Sequence, residues 1–463
     1  MAQSATAANA PPVAPVNGDD ALARAWSLRY RHLLGSHRLA RVVRPDSTGA
    51  LGDILAQARQ EGVTLWNSCG LPGPVTRDVW LIDFAHMNRI VDIDAANATA
   101  LVEPGVSHAQ LAAELGTRKL PFLVDAGRDP RASVAGDILA RRYGYTPYGD
   151  RALMQCGLEV MLADGLLVRT GMGAMSKSNM FQLFKWGFGP VNDGLFMQSR
   201  LGIVTKVGLW LMPAAPRCLP FMASLRDEAA LEAAMDILRP LSINRILPHP
   251  VAVASKAWEA AYVPGDADEA DLGDWNVFGA LYGLPDDVDL LWGMVQAQLG
   301  AVPGAHLRLI DDVAMGHPPL AARAHMMRGE VSADAMPPMA GEKLEIAAVG
   351  GIHGDDARAM AALARRMLDA AGLPPRIEFQ LCWRALLAKV ELPWQDAASL
   401  ERARTTAGDI LAAWAQAGYA PSHTDDGVLE PARARLAGTG QAHVHALLAA
   451  ALDPSGVLSG TPA

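Results

Sequence analysis

Within residues 124–133, VDAGRDPRAS, two carboxylates and two guanidinium groups crowd into seven positions: Asp125, Arg128, Asp129 and Arg131. A carboxylate here can take up a proton during a reaction. An aspartate before a proline can equally cap a turn. The arginines can bind an acidic substrate or simply pair with the aspartates. His423, at the end of GYAPSH (418–423), is a base or donor if it faces a site and an ordinary solvated histidine if it does not. Cys69, Cys156, Cys218 and Cys382 are scattered through apolar or mixed runs with no metal-ligand spacing. They read as reduced core thiols of a cytoplasmic protein, with no metal site.

The elements that must position these groups are legible from periodicity. LARVVRP and VTLWNS read as strands on either side of ALGDILAQARQEG, whose apolar positions Leu51, Ile54, Leu55 and Ala58 recur at helical spacing. VWLIDFAHMNRIVDID and ATALVEPG read as strands around a turn. HAQLAAELGTRKL follows as a helix with Ser107 as its N-cap. Asp164-Gly165 marks a hairpin turn. After Pro213 the linker-like PAAPRC leads into a second alternation of helices (EAALEAAMDILRPL, DLLWGMVQAQLG, ARAMAALARRMLDAAG) and strands (RILPHPVAV, AHLRLI, and one long strand through PPRIEFQLCWRALLAKVEL). This mixture predicts an α+β architecture.

The chain has 463 residues, 51% of them hydrophobic, enough for two interleaved domains. A formal net charge of −9 argues against a nucleic-acid binder, which needs a basic face. No run of eighteen apolar residues predicts a membrane span. The first twenty residues, rich in Ala and Pro, lack the basic start and apolar core of a signal peptide and read as a flexible tail.

Residues 143–213 carry more specific information: YGYTPYGDRALMQCGLEVMLADGLLVRTGMG, then FKWGFGPVNDGLFMQSRLGIVTKVGLWLMP. With VWLIDFAHMNRI (79–90), VEPGV (102–106) and SVAGD (133–137), this stretch resembles the vanillyl-alcohol-oxidase and 4-cresol-dehydrogenase flavoproteins. The resemblance runs from about residue 38 to 460 and is dense only over 79–213. It implies a two-domain FAD-binding fold with a cap domain over the substrate. The expected division is a tail (1–20), an FAD-binding domain (21–213), a cap domain (214–417) and a C-terminal segment returning to the FAD domain (418–463). It also implies cofactor contacts at Ser133, Val134, Gly136, Tyr143, Gly144, Tyr145, Thr146, Gly202, Ile203 and Val204, where turn N–H groups can surround a diphosphate. An aspartate near the flavin is implied too, either Asp125 or, slightly favoured by spacing, Asp129, with Arg131 beside it.

Three departures qualify that implication. The family's pyrophosphate loop, of the type GRNxGYGG, is replaced by a shorter loop with two prolines, leaving Cys69, Gly70 and Gly73 to bind FAD less tightly. Lys343 stands near the position from which relatives tether FAD covalently, so a non-covalent cofactor is expected. Ser422 and His423 stand where relatives keep the tyrosine and arginine that hold a phenolate. The resulting expectation is an FAD-dependent oxidoreductase acting on a small organic substrate other than a simple 4-alkylphenol. The alternative is a catalytically degenerate subunit that has lost FAD. Either is expected as a homodimer or as a heterodimer with a related flavoprotein.

Overall fold

The computed structural model describes residues 21–70, 72–262, 272–313, 318–331, 342–424 and 438–460. The expected N-terminal tail lies outside these residues. Three larger sheets organise the described residues, beside a two-stranded pairing of Phe122–Leu123 with Met212–Pro213. In the first, Leu39–Val43, Val79–Ile82 and Thr64–Asn67 run parallel, with Val79–Ile82 in the middle. The crossover helix Thr48–Glu61 starts where Ser47 accepts the Ala50 N–H, and it buries the four apolar residues read from the sequence. Gly62 ends it in the left-handed region, at φ 66°.

The second sheet has five antiparallel strands, in the order Ile90–Asp94, Thr99–Val102, Ile203–Trp210, Gln155–Met161, Leu167–Arg169. The helix His108–Thr117, capped by Ser107, packs Leu111 and Leu115 into the core of this sheet. The helix Gly440–Leu452 brings Leu448, Ala449 and Leu452 against the same core. Beyond it, the Asp453 carboxylate accepts the N–H groups of Val457, Leu458 and Ser459, and Val457 O accepts the Leu65 N–H. The chain's last described stretch therefore sits on its first sheet.

The third sheet is antiparallel and eight-stranded, from Ala305–Leu309 at one edge to Ala420–Thr424 at the other. Strand alternation gives it two different faces. Leu344, Ile346, Phe379, Leu381, Ala388 and Val390 point into a core covered by the helices Glu228–Ile243, Pro285–Leu299, Gly354–Ala370 and Ala397–Gln416. Their neighbours Lys343, Glu345, Glu378, Gln380, Lys389 and Glu391 occupy the opposite face. The long strand expected over 374–392 is a hairpin of Ile377–Cys382 and Ala385–Trp394. No glycine or asparagine announces the turn. Trp383 takes it at φ 57°, held by its indole N–H on Asp150 Oδ2 at 3.0 Å and by Arg245 stacked 4.8 Å from its ring. Among the described residues, no helix is long and apolar enough to cross a membrane.

Candidate functional site

The polar face of the eight-stranded sheet looks across a cleft of about 1260 Å³ toward the first two sheets. Of the residues expected to hold a cofactor, Cys69, Gly70, Ser133, Gly136, Tyr143, Tyr145, Gly202 and Val204 line it. Val134 and Ile203 instead point into apolar cores. Gly144 and Thr146 belong to the wall's scaffold. The Asp125 carboxylate accepts the N–H groups of Tyr145 and Thr146 at 2.8 and 2.7 Å, and that of Gly127 at 3.2 Å. Gly144 lies so close to it that a Cβ there would fall 1.9 Å from Asp125 Oδ1. Asp125 is tied in turn through Arg151 to Asp137 and His108, with contacts of 3.3, 2.8 and 3.0 Å. This buried chain fixes the segment that presents Tyr143 and Tyr145.

Asp129 reaches the cleft, but its carboxylate accepts from Arg131 N and Nε at 3.0 and 3.3 Å. That is the turn-capping arrangement. The Arg131 side chain is 73% exposed, and the residue does not line the cleft. His423 lies on the edge strand of the eight-stranded sheet, its backbone paired with Ala347, and its side chain lies outside the described groups. Ser422 does line the cleft.

The short loop after Thr64–Asn67 offers few donors. Cys69 N–H goes to Asn67 Oδ1 and Gly70 N–H to Asn67 O, both at 3.1 Å. Burial pushes the Cys69 thiol up to about 11, so it stays protonated. Gly73 is packed under Arg200, whose guanidinium lines the cleft at this end. At Gly136, which lines the cleft, an added Cβ would have Ser133 and Cys69 as its nearest neighbours, at 3.4 Å or more. A cation at one end, a glycine floor and aromatic walls fit an anionic dinucleotide with a flat ring system.

Sequence reasoning missed the cluster at the other end of the cleft. Arg323 donates to Glu259 at 2.5 Å and to Glu378 at 2.7 Å, all three being at most 1% exposed. Arg128 shares Glu259 at 3.2 Å, and Lys389 shares Glu378 at 3.4 Å. Tyr145 OH donates to Glu378 at 2.9 Å. Beside them Tyr262 OH donates to Glu391 at 2.6 Å, and Lys343 donates to both. Burial works against the Glu378 charge, yet Arg323, Lys389 and Arg128 together hold its pKa down at about 2. The signal was present in the sequence: Glu378 and Gln380, then Lys389 and Glu391, are polar at alternate positions of otherwise apolar strands.

His249, fully enclosed behind this wall, accepts the Ala280 N–H at 2.8 Å, and burial lowers its pKa from 6.5 to about 4. A buried histidine held neutral gives stability that is complete above pH 6.5 and disappears as the pH falls toward 4, because the unfolded chain takes up the proton first. Stability is expected to drop by about 3 kcal/mol across that window from this residue. His249→Gln, which keeps an acceptor, should flatten the slope of melting temperature between pH 7 and 4.5. An unchanged slope would count against it.

A family model described as an FAD binding domain matches residues 39–171. The fold and cleft thus define an FAD-binding flavoprotein. The chain is 33% identical over 377 residues to the 4-cresol dehydrogenase (hydroxylating) flavoprotein subunit of Pseudomonas putida, covering 76% of this chain and 72% of that one. A shorter match, 34% over 217 residues, covers 45% of this chain and 40% of the 1'-carboxy-chondrochloren decarboxylase of Chondromyces crocatus. Substrate-bound p-cresol methylhydroxylase superposes with a TM-score of 0.84 at 28% identity, covering 92% and 90% of the two chains. The 4-ethylphenol oxidase of Gulosibacter chungangensis, in its isoeugenol complex, gives 0.86 at 26%, covering 95% and 92%. The chain belongs to the family of 4-cresol-dehydrogenase and vanillyl-alcohol-oxidase flavoproteins. It is an FAD-dependent oxidoreductase of that family.

Proposed function

We propose that the chain oxidises a small organic substrate other than a simple 4-alkylphenol, in the cap-side half of the cleft. FAD, when bound, supplies the two-electron acceptor. The carrying observation is the Glu391–Tyr262–Lys343 group. Glu391 lines the cleft, is 1% exposed, and has Oε2 without a hydrogen-bond partner. A carboxylate so placed can take a proton from a substrate hydroxyl, while the Lys343 ammonium tempers its charge. Lys343 is committed to Glu391 and Tyr262, which supports a non-covalently held flavin. Ser422 stands where the resemblance puts the tyrosine of a phenolate clamp, and its short side chain does not supply a phenol. Asp129 and Arg131 then serve the turn at the mouth. The division into an FAD unit (21–213) and a cap unit remains the working one, with the expected cap boundary at 417 moved past Thr424, because Ala420–Thr424 pairs with Glu342–Gly351 at the edge of the eight-stranded sheet.

The purified protein should be yellow and release its flavin into the supernatant on acid precipitation. With two charge-assisted hydrogen bonds missing, 4-alkylphenols should turn over slower than in good phenol oxidases by on the order of a hundredfold. Colour retained in the pellet, or fast turnover of 4-cresol, would refute this reading. Colourless protein that refuses added FAD would favour the degenerate-subunit alternative.

A second observation supports an assembly. Between residues 175 and 191, Met175, Met180, Phe184, Trp186, Phe188 and Val191 are all exposed, Phe188 by 94%. Apolar surface concentrated in one segment marks a protein contact. We infer that a second chain, another copy or a related flavoprotein, packs there. Size measurement should show at least a dimer, and Phe188→Glu with Trp186→Glu should reduce it to monomer. A wild-type monomer in both the purified and co-expressed states would exclude the contact.

A further inference from the structure

We propose that the helical segment of residues 21–34 is a strap between the two walls of the cleft, and that its opening sets how fast FAD enters and leaves. This rests on the reading of FAD as non-covalently held. Two short helices, Ala21–Arg29 and Arg31–Leu34, make up the segment, and they are anchored very differently. Leu33 and Leu34 of the second are buried with Tyr30 against Val42, Trp66 and Leu81 of the parallel sheet, and the Leu33 carbonyl accepts the Val75 N–H at 3.2 Å. The first helix has no buried residue. Its 9 residues are too few to hold a helix in water without packing.

That first helix keeps its place by dividing its contacts between the two sides. Leu22, Ala23 and Trp26 share one helical face and pack on the core of the parallel sheet. Leu28 packs against the core of the eight-stranded sheet. The Arg29 carbonyl accepts from Arg404 Nη2 on the helix Ala397–Gln416, and the Arg29 guanidinium lies 3.8 Å from Glu342, where the strand Glu342–Gly351 begins. Between these anchors Trp26, Arg29 and Tyr30 line the cleft. The Tyr30 and Trp26 rings lie 5.9 and 6.5 Å from Trp66, the residue before Asn67. The helix therefore borders the loop that the family resemblance gives to the pyrophosphate, where donors are few. An ion pair as open as Arg29–Glu342, with Glu342 62% exposed, holds it weakly. Few buried contacts make local opening cheap, so the first helix can lift at Tyr30 while Leu33 and Leu34 stay packed.

Loosening the anchors of a gate speeds entry and exit together and leaves the equilibrium nearly unchanged, because the closed state still dominates. Loosening a fixed wall of the site speeds exit alone and weakens affinity in proportion. The test is stopped-flow flavin fluorescence on the full chain, with uptake of FAD by the apoprotein and its release from the holoprotein measured separately. Arg404→Met removes the donor to the Arg29 carbonyl at a residue that does not line the cleft. Both rates should rise by at least about fivefold, with Kd changed by less than about twofold. Leu28→Ala, which loosens the same side by packing alone, should do likewise and provides the readout if the Arg404 variant does not fold. Uptake at the parent's rate in the folded variant overturns the proposal, whether release is unchanged or speeds alone. Acid precipitation separates the two readings. Colour in the pellet sinks the non-covalent flavin and the strap together, whereas colour in the supernatant with uptake unchanged sinks the strap alone.

Discussion

Replacing Arg323 by methionine is expected to destabilise the chain by about 3–5 kcal/mol, the cost of leaving buried carboxylates without their cation. Arg323 is 1% exposed and bridges Glu259 and Glu378, neither of which reaches solvent. Lys389 and Arg128 contact the same carboxylates only at 3.4 and 3.2 Å and cannot close onto both. The control is Arg118→Met, which breaks an exposed pair with Glu114 on one helix and should cost under about 0.5 kcal/mol. Chemical denaturation of the three proteins checks this. An Arg323 variant within 1 kcal/mol of the parent would show that the cluster is not the keystone between the cap sheet and the Tyr145 segment.

Gly136→Val is expected to weaken FAD binding by at least tenfold, about 1.4 kcal/mol, while the cofactor-free protein melts where the parent does. The residue sits in the helix Val134–Leu139, capped by Ser133, whose Oγ accepts the Gly136 N–H at 2.9 Å and donates to Pro104 O at 2.6 Å. It lines the cleft, and its Cβ would have Ser133 and Cys69 as nearest neighbours at ordinary distances, so the added bulk lies at the cleft wall. A glycine-to-valine change inside a helix costs the backbone little. Fluorescence titration with FAD, beside a melt without it, separates the two effects. Unchanged affinity would mean that the cofactor does not lie along Ser133 and Gly136.

The sequence by itself determined the local elements and the family. Ser107 caps the helix it announced, and the apolar repeat of residues 51–58 names the buried face, because capping and periodicity are short-range properties of the chain. The motifs around 79–213 were enough to place the chain among FAD-dependent flavoproteins. Site chemistry was harder to read. Asp129 and Arg131 stood out as a charged pair, yet the fold uses them on each other at a turn. Only the tertiary structure decided that Arg128 meets Glu259, 131 residues away, and that Glu378, Lys389, Glu391 and Lys343 share one face of one sheet. Strand order joins residues remote in sequence, and burial turns groups that would be solvated in isolation into an interlocked cluster whose charges depend on one another.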